Sequence, residues 1–528
     1  MNKIIIALTT LLFSTTLFSQ EDDPNMMRLY EVYTYIDRMY VDDVPNKKIS
    51  EAAIISMLAE LDPHSTYIPA DEVEEANERI NGSFVGVGIR FNILKDTLLV
   101  VNTIPGGPSE KLGIRAGDQI VKVDGEVIAG VGLKNSQVRE YLLGEKGSKV
   151  KVTIKRGDEE LIEYTITRDK IPVNSVVSAY MIDDEVGYIK LTNFSKTTEE
   201  EVDSAIKKLK KSGMKDLIFD LQGNGGGLLY AAKYVADEFL SDDKLIVYSE
   251  GRRQPRSVLK ADKKGDFEKG RLVILIDESS ASASEILAGA IQDWDRGLIV
   301  GRRSFGKGLV QRPIELSDGG QLRLTIARYY TPSGRFIQKP YEDISAYRND
   351  YMERYLHGEM MHRDSINLPD SLIHKTLVKE RNVYGGGGIM PDIFVPLDTL
   401  EYSELYKKLS RSGVINTFTL EYANAHRKDI KKDYKSIEKF KSDFEVDQAF
   451  LDEFFDYAVK EDSNLVYVEE DFNISGDLIK IRLKSMVAQN IWDFEAFYQI
   501  FNAKNEIFME GYKTLKNGTY DKMNLNEK

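Results

Sequence analysis

The sequence predicts a multidomain α/β protein in which a compact β-rich module precedes an α/β core and helical segments flank the pair. Three observations lead there. The chain has 528 residues, more than one ordinary core holds, so roughly two to four domains are expected. Between 83 and 168, short β-type runs are separated by turns such as Pro105-Gly106-Gly107-Pro108 and Asp124-Gly125. From 171 to 396, strand-like and helix-like runs alternate, the pattern of repeated βα units whose sites lie in the loops after strands.

Taken from the N-terminus, residues 1–20 read as a signal peptide. Lys3 is followed by a mostly apolar run, Ile4 to Phe18, then Ser19-Gln20 and the acidic Glu21-Asp22-Asp23. The run is short for a membrane span, so the mature chain is expected to be exported, periplasmic or extracellular, with no transmembrane segment. Residues 21–82 read as a helical segment, broken at Asp62-Pro63, with His64-Ser65-Thr66-Tyr67 in a loop. In the β-rich module, 83–168, strands are expected at Leu98–Thr103, Gln119–Val123, Lys149–Lys155 and Tyr164–Thr167, and a helix at Ser136–Leu143. The core, 169–398, is expected to carry strands at Val186–Leu191, Leu217–Leu221, Leu272–Ile276, Leu298–Val300 and Leu309–Glu315. Helices are expected at Thr198–Lys211, Leu228–Leu240 and Ala283–Gln292. Within it, the highly polar stretch 340–385 reads as an inserted, partly mobile excursion. Residues 399–528 return to helical periodicity and read as a C-terminal helical domain.

Composition excludes several chemistries. Cysteine is absent, so disulfides, thiolate catalysis, Cys-ligated zinc and iron–sulfur clusters are ruled out. A net charge of −14 argues against a nucleic-acid or anionic-membrane partner. The 42% hydrophobic and 30% charged content is that of a soluble globular chain.

The chemistry concentrates in three places. Strand Leu272–Ile276 runs into Asp277-Glu278-Ser279-Ser280-Ala281-Ser282-Ala283-Ser284-Glu285. A serine among tiny residues at a strand–helix turn admits a substrate carbonyl closely, and the helix N-terminus offers free N–H groups to an oxyanion. Serines that merely cap the helix are the commoner outcome of such a run. A nucleophilic serine needs a base. None of the five histidines, His64, His357, His362, His374 and His426, ends a core strand. Lys307, between glycines in Phe305-Gly306-Lys307-Gly308-Leu309, is better placed: desolvation lowers a lysine's pKa and lets it act as a neutral base. A surface lysine in a turn is the bland alternative. A P-loop fails here, because Gly308 stands where the magnesium-binding hydroxyl belongs. Ser304-x-x-Lys307 matches the penicillin-binding pattern, but so do Ser148/Lys151, Ser204/Lys207 and Ser257/Lys260, and no K-T-G follows. The third place is Asp220-Leu221-Gln222-Gly223-Asn224-Gly225-Gly226-Gly227-Leu228, a glycine loop after a strand that lets a backbone N–H face a ligand. It reads as half an oxyanion hole, or else as a tight βα turn. In the β-rich module, Gly86-Val87-Gly88-Ile89 is a loop whose N–H groups can cradle a terminal carboxylate.

Together these residues resemble the C-terminal processing peptidases, or tail-specific proteases, over roughly Tyr30 to Pro396. The resemblance is carried by Leu61-Asp62-Pro63-His64-Ser65-Thr66-Tyr67, Gly86–Ile89, Ala116-Gly117-Asp118, Leu143-Gly144-Glu145-Lys146-Gly147, the Asp220–Leu228 loop, Ser280–Ala290, Phe305–Gln311, Tyr330–Arg335 and Gly388–Asp392. It implies a PDZ domain inserted before an α/β, crotonase/ClpP-like, protease core. It implies Ser282 as nucleophile and Lys307, 25 positions later, as base, with Gln311 orienting the lysine. It also implies an oxyanion hole from the N–H groups of Gly226 and Ala283, and capture of substrate C-termini by Gly86, Val87, Gly88 and Ile89. No metal or cofactor is implied, and the partners are peptides or proteins with free C-termini. The chain departs from the family's frequent residues at Gln222, Gly225 and Ser279, where Arg, Pro and Gly are common. The 340–385 segment and the tail lie outside the resemblance and stand as candidates for contacts with a second copy or an adaptor protein. Two other readings of the same residues are a catalytically silent PDZ scaffold and a Ser-Lys acyltransferase of cell-wall peptides.

Overall fold

The structure, a computed structural model, describes residues 23–525 apart from 158–160, 242 and 367. The signal-peptide reading of 1–20 lies outside the described residues. The chain divides into two units, one ending at Leu61 and the other starting at Asp62. In the first, helices Pro24–Met39 and Asn46–Ala59 account for the predicted helical periodicity. The Asp23 carboxylate caps the first by accepting from Asn25 N–H (2.9 Å), with Pro24 at the first helical position.

The second unit is built on a six-stranded sheet in the order Val176–Met181, Val186–Leu191, Asp216–Asp220, Leu272–Ile276, Leu298–Gly301 and Ile393–Phe394. The first pair is antiparallel and the others run parallel. A parallel strand covered on both faces is apolar throughout, and every residue of Leu272–Ile276 is buried. One face, through Leu217, Phe219, Ile274 and Ile276, packs on helices Thr198–Lys211, Leu229–Asp237 and Ala283–Asp293. The other face, through Tyr188, Ile218, Val273, Leu275 and Val300, is covered by Ile507, Phe508, Leu515 and Tyr520. These come from the last helices, Glu506–Lys516 and Thr519–Lys522. The end of the chain is thus a layer of the core.

A second, antiparallel sheet carries Leu309–Glu315 beside Gln321–Tyr330, which also pairs with Thr66–Ile68 and with the hairpin Leu245–Gly251/Gln254–Lys260. Gln321–Tyr330 went unpredicted because arginine, threonine and glutamine interrupt its apolar alternation. The β-rich module is a sheet of Ile89–Leu94, Thr97–Thr103, Gln119–Val123, Lys149–Lys155 and Ile162–Thr167 with helix Asn135–Leu142. Strands Ser83–Gly86 and Asp169–Pro172 pair antiparallel at its entry and exit.

Segment 340–385, expected as an inserted, partly mobile excursion, carries regular structure: helix Ile344–Leu356, two short turns and the hairpin Ile373–Lys375/Asn382–Tyr384. Its composition misleads because the helix buries Tyr347 and Arg354 through polar contacts rather than an apolar stripe. The stretch 465–468, rich in strand-type residues, forms no strand and links two helices. Helices from Glu404 to Phe501 form their own apolar cluster. They also meet the β-rich module: Leu420 packs with Leu99 and Val101, and Glu421 pairs with Lys95 at 2.6 Å. Among the described residues, no helix is long and apolar enough to cross a membrane.

Candidate active site

Ser282 sits at the turn between buried strand Leu272–Ile276 and helix Ala283–Asp293, with φ +56° and ψ −111°. Positive φ is costly for a residue with a Cβ. Here the turn is held on every side. Ala281 N–H donates to Asn224 O (3.0 Å), Ser284 Oγ to the same carbonyl (2.8 Å), and Ser280 Oγ to Leu221 O (2.9 Å). The glycine loop and the serine turn are therefore stitched together. The loop's own base is a buried knot in which Asp220 accepts from Tyr188 Oη (2.7 Å) and Lys190 Nζ (2.9 Å).

Lys307 reaches the same place from the loop after Leu298–Gly301. Ser282, Lys307, Gln311 and Ala283 all line one cavity of about 300 Å³, with Ile80, Leu228, Leu229, Ile286 and Val310 as its apolar walls. Burial holds the Lys307 amine below its ordinary value, against the opposing pull of Asp62 and Glu285. Lys307 Nζ donates to Gln311 Oε1 at 2.8 Å. Among the described residues, no hydrogen bond joins it to Ser282.

Two further side chains, given no role from sequence, tie Ser282 and Lys307 together. The Glu285 carboxylate, fully buried, accepts from the N–H groups of Ser282 (2.8 Å), Gly306 (2.7 Å) and Lys307 (2.9 Å) and from Ser304 Oγ. Burial pushes its pKa up while these four donors oppose the rise. Tyr329 Oη bonds the carbonyls of Ser282 (3.1 Å) and Lys307. The spacing of Glu285 at the third helical position is a capping signature visible in sequence. Tyr329 carried no such signal, because its strand was unread.

One predicted site residue needs correction. The Gly226 N–H is committed to Asn224 Oδ1 at 2.9 Å. Gly225 and Gly227 line the cavity in its place, and the Gly227 N–H has no partner among the described residues. Gly226 serves by shape: a Cβ there would lie 2.7 Å from Ala281 O and 2.9 Å from Ala283 N. In the β-rich module, Gly86–Ile89 opens onto edge strand Ile89–Leu94. The carbonyl of Val87 accepts from Ser109 N–H and Oγ, and that of Gly88 from Ile104 N–H. The N–H groups of Val87 and Gly88 have no partner among the described residues.

The family model for peptidase family S41 matches residues 185–345, a PDZ-domain model matches 85–166, and a family of unknown function matches 405–493. The chain is similar to the carboxy-terminal processing protease CtpA of Bacillus subtilis, 36% identical over 318 residues, covering 60% of this chain and 67% of that protein. It is 38% identical over 331 residues to a carboxy-terminal-processing protease of Bartonella bacilliformis, covering 61% and 75% respectively. Among solved structures, a photosystem II D1 C-terminal processing protease is 28% identical with a TM-score of 0.35, covering 72% of this chain and 95% of that one. With a strained serine and a desolvated lysine on one cavity, and a PDZ domain ahead of the protease domain, the chain belongs to the carboxy-terminal processing proteases, serine-type peptidases of family S41.

Proposed function

We propose that the protein is an endopeptidase of exported proteins that captures substrate C-termini at Gly86–Ile89 and cleaves through a Ser282–Lys307 dyad. The observation that carries this reading is the shared cavity, lined both by a half-buried lysine with a lowered pKa and by a serine at a helix N-terminus. Neutral Lys307 donates one N–H to Gln311, which leaves its lone pair free to turn to Ser282. Ser282 Oγ attacks the scissile carbonyl as its proton passes to Lys307 Nζ. The oxyanion is received by the N–H groups of Ala283 and Gly227. Lysine then gives the proton to the departing amine, and an acyl-enzyme remains on Ser282. Water, deprotonated by the same lysine, releases the acyl group. The apolar cavity walls favour an uncharged side chain next to the scissile bond.

Trapping tests the chemistry. Acid-quenched turnover should yield a peptide spanning Ser282 that carries the mass of the substrate's acyl portion. Turnover without any such adduct, or with the adduct on another residue, would refute the assignment. Capture is tested separately by amidating the substrate C-terminus. Losing charge-assisted hydrogen bonds should raise KM about tenfold or more with little change in kcat. An unchanged KM would remove the carboxylate site.

A further inference from the structure

Segment 340–385 reaches the general base by a chain of contacts. Lys307 Nζ donates to Gln311 Oε1 (2.8 Å), and Gln311 Nε2 donates to the carbonyl of His64 (2.5 Å). His64 Nε2 lies 2.7 Å from Tyr347 Oη, in helix Ile344–Leu356. A carbonyl only accepts, so the His64 carbonyl, with that of Arg323 at 3.5 Å, turns the Gln311 amide so that Oε1 is presented to the lysine. The His64 ring in turn meets Tyr347 edge-on, with ring centres 5.5 Å apart.

The same insert grips the loop that carries Lys307. Arg354 donates to the carbonyls of Arg303 (2.5 Å) and Ser304 (3.2 Å), and Glu359 pairs with Arg303 at 2.6 Å. Lys339 lies over the rings of Phe305 (4.1 Å) and Tyr347 (4.3 Å) and pairs with Asp350 at 2.8 Å. Helix Ile344–Leu356 also walls a cavity of about 600 Å³ that adjoins the first, sharing Gly225 and Lys307 with it. A helix in that position touches both the base's support and the space beside the reacting groups.

We propose that Tyr347 is a positioning residue of the insert that, through His64 and Gln311, holds the Lys307 amine in place on the Ser282 cavity. The proposal rests on Lys307 being the base. The groups facing that amine are Asp62, on the loop before Thr66–Ile68, and Glu285, on helix Ala283–Asp293, which favour its charge. Arg323, on Gln321–Tyr330, disfavours it. His64 is itself held neutral, its pKa lowered to about 4 by burial first and then by Lys307 and Lys339, with Asp62 opposing. Its ring therefore adds no charge to the site at neutral pH, and its effect on the lysine is geometric. Burial keeps the Tyr347 phenol protonated.

The test is the pH profile of kcat/KM for Tyr347→Phe, which deletes one hydroxyl. With the His64 ring released from Tyr347, the residue whose carbonyl holds Gln311 loosens, water reaches the amine and its pKa rises. Cleavage at neutral pH should fall about three- to tenfold and return toward the wild-type level at alkaline pH, with KM and Tm near wild type. His64→Leu should move the acidic limb in the same direction, and His64→Gln, which keeps a polar partner, should fall between it and wild type. An unshifted limb, or a loss equal at every pH, overturns the proposal. The two readings fail separately. Cleavage surviving in Lys307→Met would sink the dyad, whereas a lysine-dependent enzyme with an unshifted Tyr347→Phe profile sinks only this link.

Discussion

Replacing Lys307 with methionine is expected to lower kcat/KM by about 10⁴-fold or more and to leave the fold intact, and Ser282→Ala should do the same. Serine is a poor nucleophile without a base, and among the side chains lining the Ser282 cavity Lys307 is the one ionisable amine. The two losses should not add, because nucleophile and base act as one unit. The stability sign can be worked out. Burial holds the amine below its ordinary 10.5, so the unfolded chain binds the proton more tightly. Stability contributed by this group therefore rises with pH up to the ordinary lysine value. Removing the amine lifts that penalty, so Lys307→Met should melt at or above the wild-type temperature at pH 7. Wild-type activity should fall as pH drops through the lowered lysine value. Fluorogenic-peptide kinetics across pH, with thermal melts of each variant, check all of this. Strong cleavage by either variant would rule out the dyad.

A chain ended after residue 504 is expected to lose the folded protease core altogether. The deletion removes Ile507, Phe508, Leu515 and Tyr520, each at most 5% exposed, from one face of the parallel sheet. It also removes the Tyr520 hydroxyl that accepts from Leu272 N–H (3.2 Å) at the start of the strand leading to Ser282. Parallel sheets stand only when both faces are covered. A milder variant measures the same contact: Phe508→Ala should cost about 3–5 kcal/mol, the range for truncating a buried aromatic. Urea unfolding and limited proteolysis report it. A truncated chain that still melts cooperatively and cleaves peptide would mean that the last helices are an accessory.

The readable part of the site was local. Ser282, Lys307 and Gln311 stand within 30 positions of one another. Each is framed by a strand, a glycine turn or a helix start whose residue types announce themselves. Glu285 lay in plain view beside Ser282, but its four donors come from two separated loops. Gly226 was assigned an N–H to offer a ligand, whereas folding gives that group to Asn224 two positions earlier. Only a side-chain rotamer decides between the two.

The order of domains, the strand–turn–helix that strains a serine, the lysine set among glycines and the loop at the head of the PDZ domain follow from short-range spacing. Backbone propensity and side-chain size act over a few residues, so these features are written in neighbouring positions. Whether the last helices form a tail or a layer of the core, and that residues 64, 311 and 347 form one chain of contacts, was decided by tertiary packing. Positions far apart in the chain meet there because a sheet face must be covered and a buried polar group must find its partner. No local pattern records which distant segment will supply either one.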